Sequence, residues 1–166
     1  MTIKANNPEL SSWIDVNLES DFPIQNLPFG VFSIKNSSAR IGVAIGEQIL
    51  DLKELFELGY LADLGFQLSD FDNCYLNDMM IHGKVATRKL RIRISDLLNS
   101  ESAELKNNID DVNRVIVSQK DAKMQLPVKI GDYTDFYSSE QHAYNVGCMF
   151  RDPNNALLPN WKHIPV

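Results

Sequence analysis

Residues 40–52 read RIGVAIGEQILDL, and the fold class turns on them. Apolar side chains stand at alternate positions, Ile41, Val43 and Ile45, which is the period of a strand with one face buried. Ile45-Gly46-Glu47 reads as a tight turn into a second strand carrying Ile49 and Leu52. At Asp51 the period changes. Leu52, Leu55, Phe56 and Leu61 fit helical turns, and an aspartate just before them is a natural N-cap.

Working outward, Val31 and Ile34 mark an earlier strand, and Asn36-Ser37-Ser38 reads as a looser hairpin connection. Residues 30–52 are therefore a small antiparallel meander, compatible with an SH3-like barrel. Residues 1–29 read as an ordered but irregular arm. Two prolines, Pro23 and Pro28, push the residues before them into extended backbone, and Phe22, Ile24, Leu27 and Phe29 are its anchors. Downstream, 76–82 predicts a short helix closed by Gly83. Ala86, Leu90, Ile94, Leu97 and Leu98 form one apolar face of a helix over 85–99, and its basic side, Arg88, Lys89, Arg91 and Arg93, is most simply a solvated face. Residues 101–114 predict a further polar, exposed helix. A polar stretch over 118–124 precedes LPVKIG, and a domain boundary is placed between 118 and 126.

Bulk composition narrows the function classes. The 166 residues are 44% hydrophobic and 23% charged, ordinary for a globular chain of one domain or two small ones. A net charge of −6 argues against nucleic acid as partner, and the basic run at 84–93 is too short to alter that. Cys74 and Cys148 stand far apart with no CxxC, which suits a reducing compartment. The N-terminal residues lack the apolar stretch of a signal peptide, and no run of about 18 apolar residues spans a membrane, so a cytoplasmic location is expected.

Residues 130–151, IGDYTDFYSSEQHAYNVGCMFR, hold the chemistry. Asp135 is the ligand type that Mg²⁺ and Ca²⁺ require, with Asp132 nearby, though one carboxylate is never a whole site. His142 is a candidate base, since a histidine takes a proton from water near neutral pH. Tyr137 offers a phenolic donor. Arg151 offers a planar fork that matches a carboxylate. Each has a plain structural reading as well: a capping aspartate, a histidine bonded within the fold, a core-edge tyrosine, a surface arginine. The aromatic set Tyr133, Phe136, Tyr137, Tyr144 and Phe150 is expected to include core, and Cys148 to be buried and inert.

The segment GDYTDFYSSEQHAYNVGCMFR, followed by NALLPNWKHIPV, resembles the fumarylacetoacetase family. So do DFPIQNLPFGVF at 21–32 and RIGVAIGEQILDL at 40–52, with a weaker middle at 53–117. An acylpyruvate hydrolase of the wider family fits the first and longest of these motifs less well. The resemblance implies a mainly β fold with some α: an SH3-like N-terminal barrel with flanking helices over 1–118, then the first elements of a catalytic β-roll over 119–166. It implies metal-dependent hydrolysis of the C–C bond of 4-fumarylacetoacetate to fumarate and acetoacetate, the last step of tyrosine and phenylalanine catabolism, by a homodimer. It maps the metal ligand to Asp135, the water-activating base to His142 and substrate contacts to Tyr137 and Arg151. The cofactor implied is Ca²⁺ or Mg²⁺, with the remaining ligands expected downstream of Val166, so that the 166 residues alone are expected to be inactive. The alternative is a truncated, noncatalytic interaction or regulatory module of that enzyme.

Overall fold

The computed structural model describes residues 3–164. Met1, Thr2, Pro165 and Val166, the outer ends of the two expected domain ranges, lie outside the described residues. The chain divides into two compact units, Met1–Lys129 and Ile130–Val166.

The first unit is built on a five-stranded antiparallel sheet: β1 (Phe29–Ile34), β2 (Arg40–Ile45), β3 (Gln48–Asp51), β4 (Ile116–Ser118) and β5 (Ala122–Gln125). Its order is β4-β3-β2-β1-β5, so β4 and β5 are opposite edges. Only Gln119–Asp121, a single 3-10 turn, joins those edges. In a flat sheet they would stand four spacings apart, about 19 Å. The four Cα steps from Ser118 to Ala122 reach at most about 14 Å even when extended. The sheet therefore curls into a half-barrel, as an SH3-like domain requires. This also moves the boundary expected between 118 and 126. β5 pairs with β1, Val31 opposite Gln125 and Ile34 opposite Ala122, so the residues up to Lys129 stay with the first unit.

The strand expected over 41–45 forms, but it is more than half-buried: Arg40 and Gly42 are buried along with the alternate apolar positions. Ile41, Val43 and Ile45 are fully buried with Val31 and Leu50 in one core. Gly46 takes a φ of +53°, which sets the tight turn between β2 and β3. Asp51 caps α1 (Leu52–Glu57), accepting from the backbone N–H groups of Lys53 and Glu54. Three further helices follow: α2 (Leu68–Phe71), α3 (Asn77–Ile81) and α4 (Gly83–Leu98). Gly83, at φ +77°, turns the chain between α3 and α4. Leu90, Ile94, Leu97 and Leu98 bury the predicted face of α4 in the core.

The N-terminal arm is sewn to the end of α4. Trp13 donates from its backbone to Leu98 O and from Nε1 to Leu97 O, and Ser12 bridges Asn99. Its expected anchors Ile24 and Leu27 are buried, while Phe22 and Phe29 are half-buried.

Two expectations change in this unit. The basic side of α4 is not uniformly solvated. Arg88 and Lys89 are exposed, but Arg91 donates to Gln25 O and Asn6 Oδ1, and Arg93 to Tyr60 O and Glu104. A long guanidinium can reach backbone carbonyls of neighbouring loops that a helical wheel does not include. The helix expected over 101–114 is only α5, Ile109–Val115. Leu105 is the single buried side chain over 101–108, so no apolar stripe supports a helix there. Asn108 instead uses its side chain to cap α5, accepting from the backbone N–H of Asp111.

The Arg93–Glu104 pair has both guanidinium ends on the carboxylate, at 2.8 and 2.5 Å, and this holds the Glu104 carboxyl below its ordinary range. The sign follows from linkage. A lowered folded pKa contributes stability above the unfolded value, and that contribution is lost as pH falls through the folded one. Glu104 is half exposed, so the contribution is under about 1 kcal/mol. Glu104→Gln should remove it, and the mutant and wild-type unfolding free energies should converge below about pH 4. Denaturant titrations at pH 3 and pH 7 would read this, and an equal gap at both would refute it.

Candidate functional site

All four sequence-derived candidates, Asp135, Tyr137, His142 and Arg151, lie in the second unit. That unit is organised by α6 (Glu140–Cys148). Ser139 caps it, accepting from the backbone N–H of His142. Ala143 and Gly147, one turn apart, form its buried face, which leaves His142 exposed beside them. Two 3-10 turns follow, Pro153–Asn155 and Pro159–Lys162, each opened by a proline whose fixed φ suits a helix start.

Three of the four candidates come together. The Tyr137 and His142 rings meet edge to face at 5.6 Å between centroids. Tyr137 and Arg151 line the same small cavity with Asn160 and Trp161, about 20 Å³, room for a single water. Trp161 Nε1 donates to Tyr137 O at 3.2 Å and so ties the irregular 131–139 segment to the second 3-10 turn. Arg151 is held by both its backbone and its side chain. Its N–H bonds Gly147 O at 2.9 Å, and its Nε and Nη2 both donate to Ala156 O, at 3.2 and 2.9 Å.

Asp135 is not drawn into this group. It is exposed, two residues before Tyr137, and Asp132 is exposed as well. Among the described residues, no three His, Cys, Asp or Glu side chains gather closely enough to hold a metal ion.

Of the five aromatic residues expected to include core, none is fully buried. Tyr133, Phe136, Tyr144 and Phe150 are all exposed, and only Tyr137 is half-buried. The second unit is small, and its buried positions are taken by Ala143, Gly147 and Ala156, residues that let backbone approach backbone. Cys148 is half-buried, not fully so, and it lies beside Tyr144, whose phenol it holds above the ordinary range.

Trp161, Gly147 and Ala156 were not singled out by the sequence reading. Trp161 carried a signal, since an indole N–H that is buried needs an acceptor. Ala156 acts through its carbonyl, and a backbone oxygen leaves no mark in the residue type.

A family model described as fumarylacetoacetase N-terminal matches residues 25–127. The chain belongs to this family. Curated fumarylacetoacetases are similar to it well beyond that match. The protein of Mus musculus is 51% identical over 156 residues, covering 93% of this chain and 37% of the relative. That of Caenorhabditis elegans is 50% identical over 158 residues, covering 95% and 38%. The Homo sapiens protein is 48% identical over 156 residues, covering 93% and 37%. The chain thus spans little more than a third of the length of the fumarylacetoacetases it matches. The alignment to the mouse protein leaves about a dozen residues of this chain outside it. That is too few to exclude the 135–151 segment from the likeness. No helix among the described residues is long and apolar enough to cross a membrane.

Proposed function

We propose that the chain serves as the N-terminal part of a fumarylacetoacetase and contributes side chains to its hydrolytic site. The reaction would be hydrolysis of the C–C bond of 4-fumarylacetoacetate to fumarate and acetoacetate, in tyrosine and phenylalanine catabolism, by a cytoplasmic homodimer. The observation that carries this reading is the grouping of Tyr137, His142 and Arg151 in a chain half identical to fumarylacetoacetases over nearly its whole length.

On this reading the exposed His142 imidazole takes a proton from water, and the resulting hydroxide attacks a carbonyl carbon of the substrate. The C–C bond then breaks, its electron pair leaving on the acetoacetate side as an enolate that is afterwards protonated. Tyr137 donates to a substrate oxygen, and Arg151 binds a substrate carboxylate and keeps the diketone in register.

The divalent cation of the reading, Ca²⁺ or Mg²⁺, takes about six or more oxygen ligands. Asp135 is the right donor type, but the described residues do not fit such an ion by themselves. Asp135 would supply one ligand and other parts of the assembled enzyme the rest. When bound, such an ion polarises a carbonyl.

A chimera tests the reading: this chain in place of the corresponding third of the mouse enzyme. Loss of 4-fumarylacetoacetate absorbance is expected from the chimera and not from the 166 residues alone. EDTA should abolish that turnover, and Mg²⁺ or Ca²⁺ should restore it. A folded, dimeric chimera with no turnover would sink the reading and favour the noncatalytic module. Turnover indifferent to EDTA would sink the metal role of Asp135.

A further inference from the structure

We infer that Gly147 and the Ala156 carbonyl are positioning groups that aim the Arg151 guanidinium so that it takes a carboxylate end-on, through Nη1 and Nη2. The inference rests on the reading of Arg151 as a substrate-binding residue and says how that residue is set. A guanidinium has five N–H donors on three edges. The edge formed by Nε and Nη2 is spent on one oxygen, Ala156 O, at 3.2 and 2.9 Å. Among the described residues, no carboxylate lies within ion-pair distance of Arg151. What remains is the end of the fork, with Nη1 and Nη2 side by side. That edge matches the two oxygens of a carboxylate.

The carbonyl that does this is placed by an absence of side chain. A Cβ built on Gly147 would lie 2.1 Å from Ala156 O and 2.7 Å from its carbonyl carbon. Those neighbours are backbone, which cannot swing aside as a flexible side chain does. Gly147 O also accepts the backbone N–H of Arg151 at 2.9 Å. One glycine thus fixes the start of the Arg151 side chain and makes room for the oxygen that fixes its end. Asp152, which accepts from the Asn154 N–H at 2.8 Å, holds the turn that carries Ala156 back over the helix. An arginine free on the surface loses rotamer entropy when it binds, and one already pinned loses less.

The test is NMR on the arginine-¹⁵N-labelled chain, with the Arg151 Nε–H signal assigned by its loss in Arg151→Lys. In the wild type, that proton should exchange about tenfold more slowly than in a free guanidinium, as one hydrogen bond implies. Titration with fumarate, a simple dicarboxylate, should shift the Arg151 Nη signals and leave Nε in place. In Gly147→Ala, the Nε protection should vanish. An unprotected Nε in the wild type overturns the inference, and that measurement stands even if the variant fails to fold. So does protection that survives in Gly147→Ala, a fumarate shift at Nε, or no shift at saturating fumarate. The readings separate cleanly. A chimera without turnover beside a protected Nε and shifting Nη sinks the hydrolase reading and leaves the carboxylate subsite standing.

Discussion

Asp51→Ala is expected to cost about 3–5 kcal/mol of folding stability, the range for removing one partner of a buried ion pair. Asp51 is fully buried at the end of β3, and Arg40, on β2, is nearly so. Arg40 Nε meets Asp51 Oδ2 at 2.5 Å, while Asp51 Oδ1 accepts from the Lys53 and Glu54 N–H groups. Burial pushes the Asp51 carboxyl up, and Arg40 and the helix N–H pull against it. The same carboxylate therefore neutralises a buried cation and ties the sheet to α1. Arg40 has few substitutes for it: its guanidinium sits 4.8 Å from the Phe32 ring centroid, and Nη1 reaches Ser37 Oγ. Asp51→Asn separates the two roles. It keeps an oxygen for the cap, worth about 1 kcal/mol, and leaves the charge uncompensated. Its cost should therefore be about 1 kcal/mol smaller than that of alanine and still well above the surface range. Urea unfolding of the three proteins measures this. An Asp51→Asn chain as stable as wild type would show that the charge pair carries nothing.

His142→Ala in the chimera is expected to lower kcat/KM for 4-fumarylacetoacetate by about 10²–10⁴-fold, the range for losing a positioned general base. The side chain is exposed on α6, and its helix is held by the Ser139 cap and by Ala143 and Gly147, not by the imidazole. Removing the ring gives up one edge-to-face contact with Tyr137, and the secondary structure by circular dichroism should be unchanged. A loss under about tenfold would assign His142 to packing against Tyr137 alone, because an aromatic pair is worth about 0.5–1.5 kcal/mol. Base rescue distinguishes the two: imidazole added to the buffer should recover part of the rate if the missing function is proton transfer.

Much of the first unit was legible residue by residue. Ile41, Val43 and Ile45 announced a strand because side chains alternate across a sheet, and all three are buried, though the burial of Arg40 and Gly42 on the same strand was not announced. Asp51 announced the cap it makes, because capping needs only a short acceptor and the N–H groups just after it. Leu90, Ile94, Leu97 and Leu98 announced the buried face of α4 for the same local reason. What failed was where local pattern and burial part company. A polar run at 101–108 was compatible with a helix but had nothing to pack, and the Asn108 side chain competed for its backbone. Tyr133, Phe136, Tyr144 and Phe150 are apolar enough for a core, but the second unit buries small residues in their place.

By itself, the sequence determined the strand–turn–strand–cap run of residues 40–52, the candidate residues Asp135, Tyr137, His142 and Arg151, and the family likeness, since each depends on residue type and near-neighbour spacing. Only the tertiary structure decided that β5 joins the half-barrel as its edge beside β1, that Arg91 and Arg93 are bonded to carbonyls of neighbouring loops, and that Arg151 is aimed by Ala156 O. Those are long-range pairings or backbone contacts. A strand edge finds its partner across about ninety residues through geometry that no local period encodes, and a carbonyl oxygen looks the same in every residue.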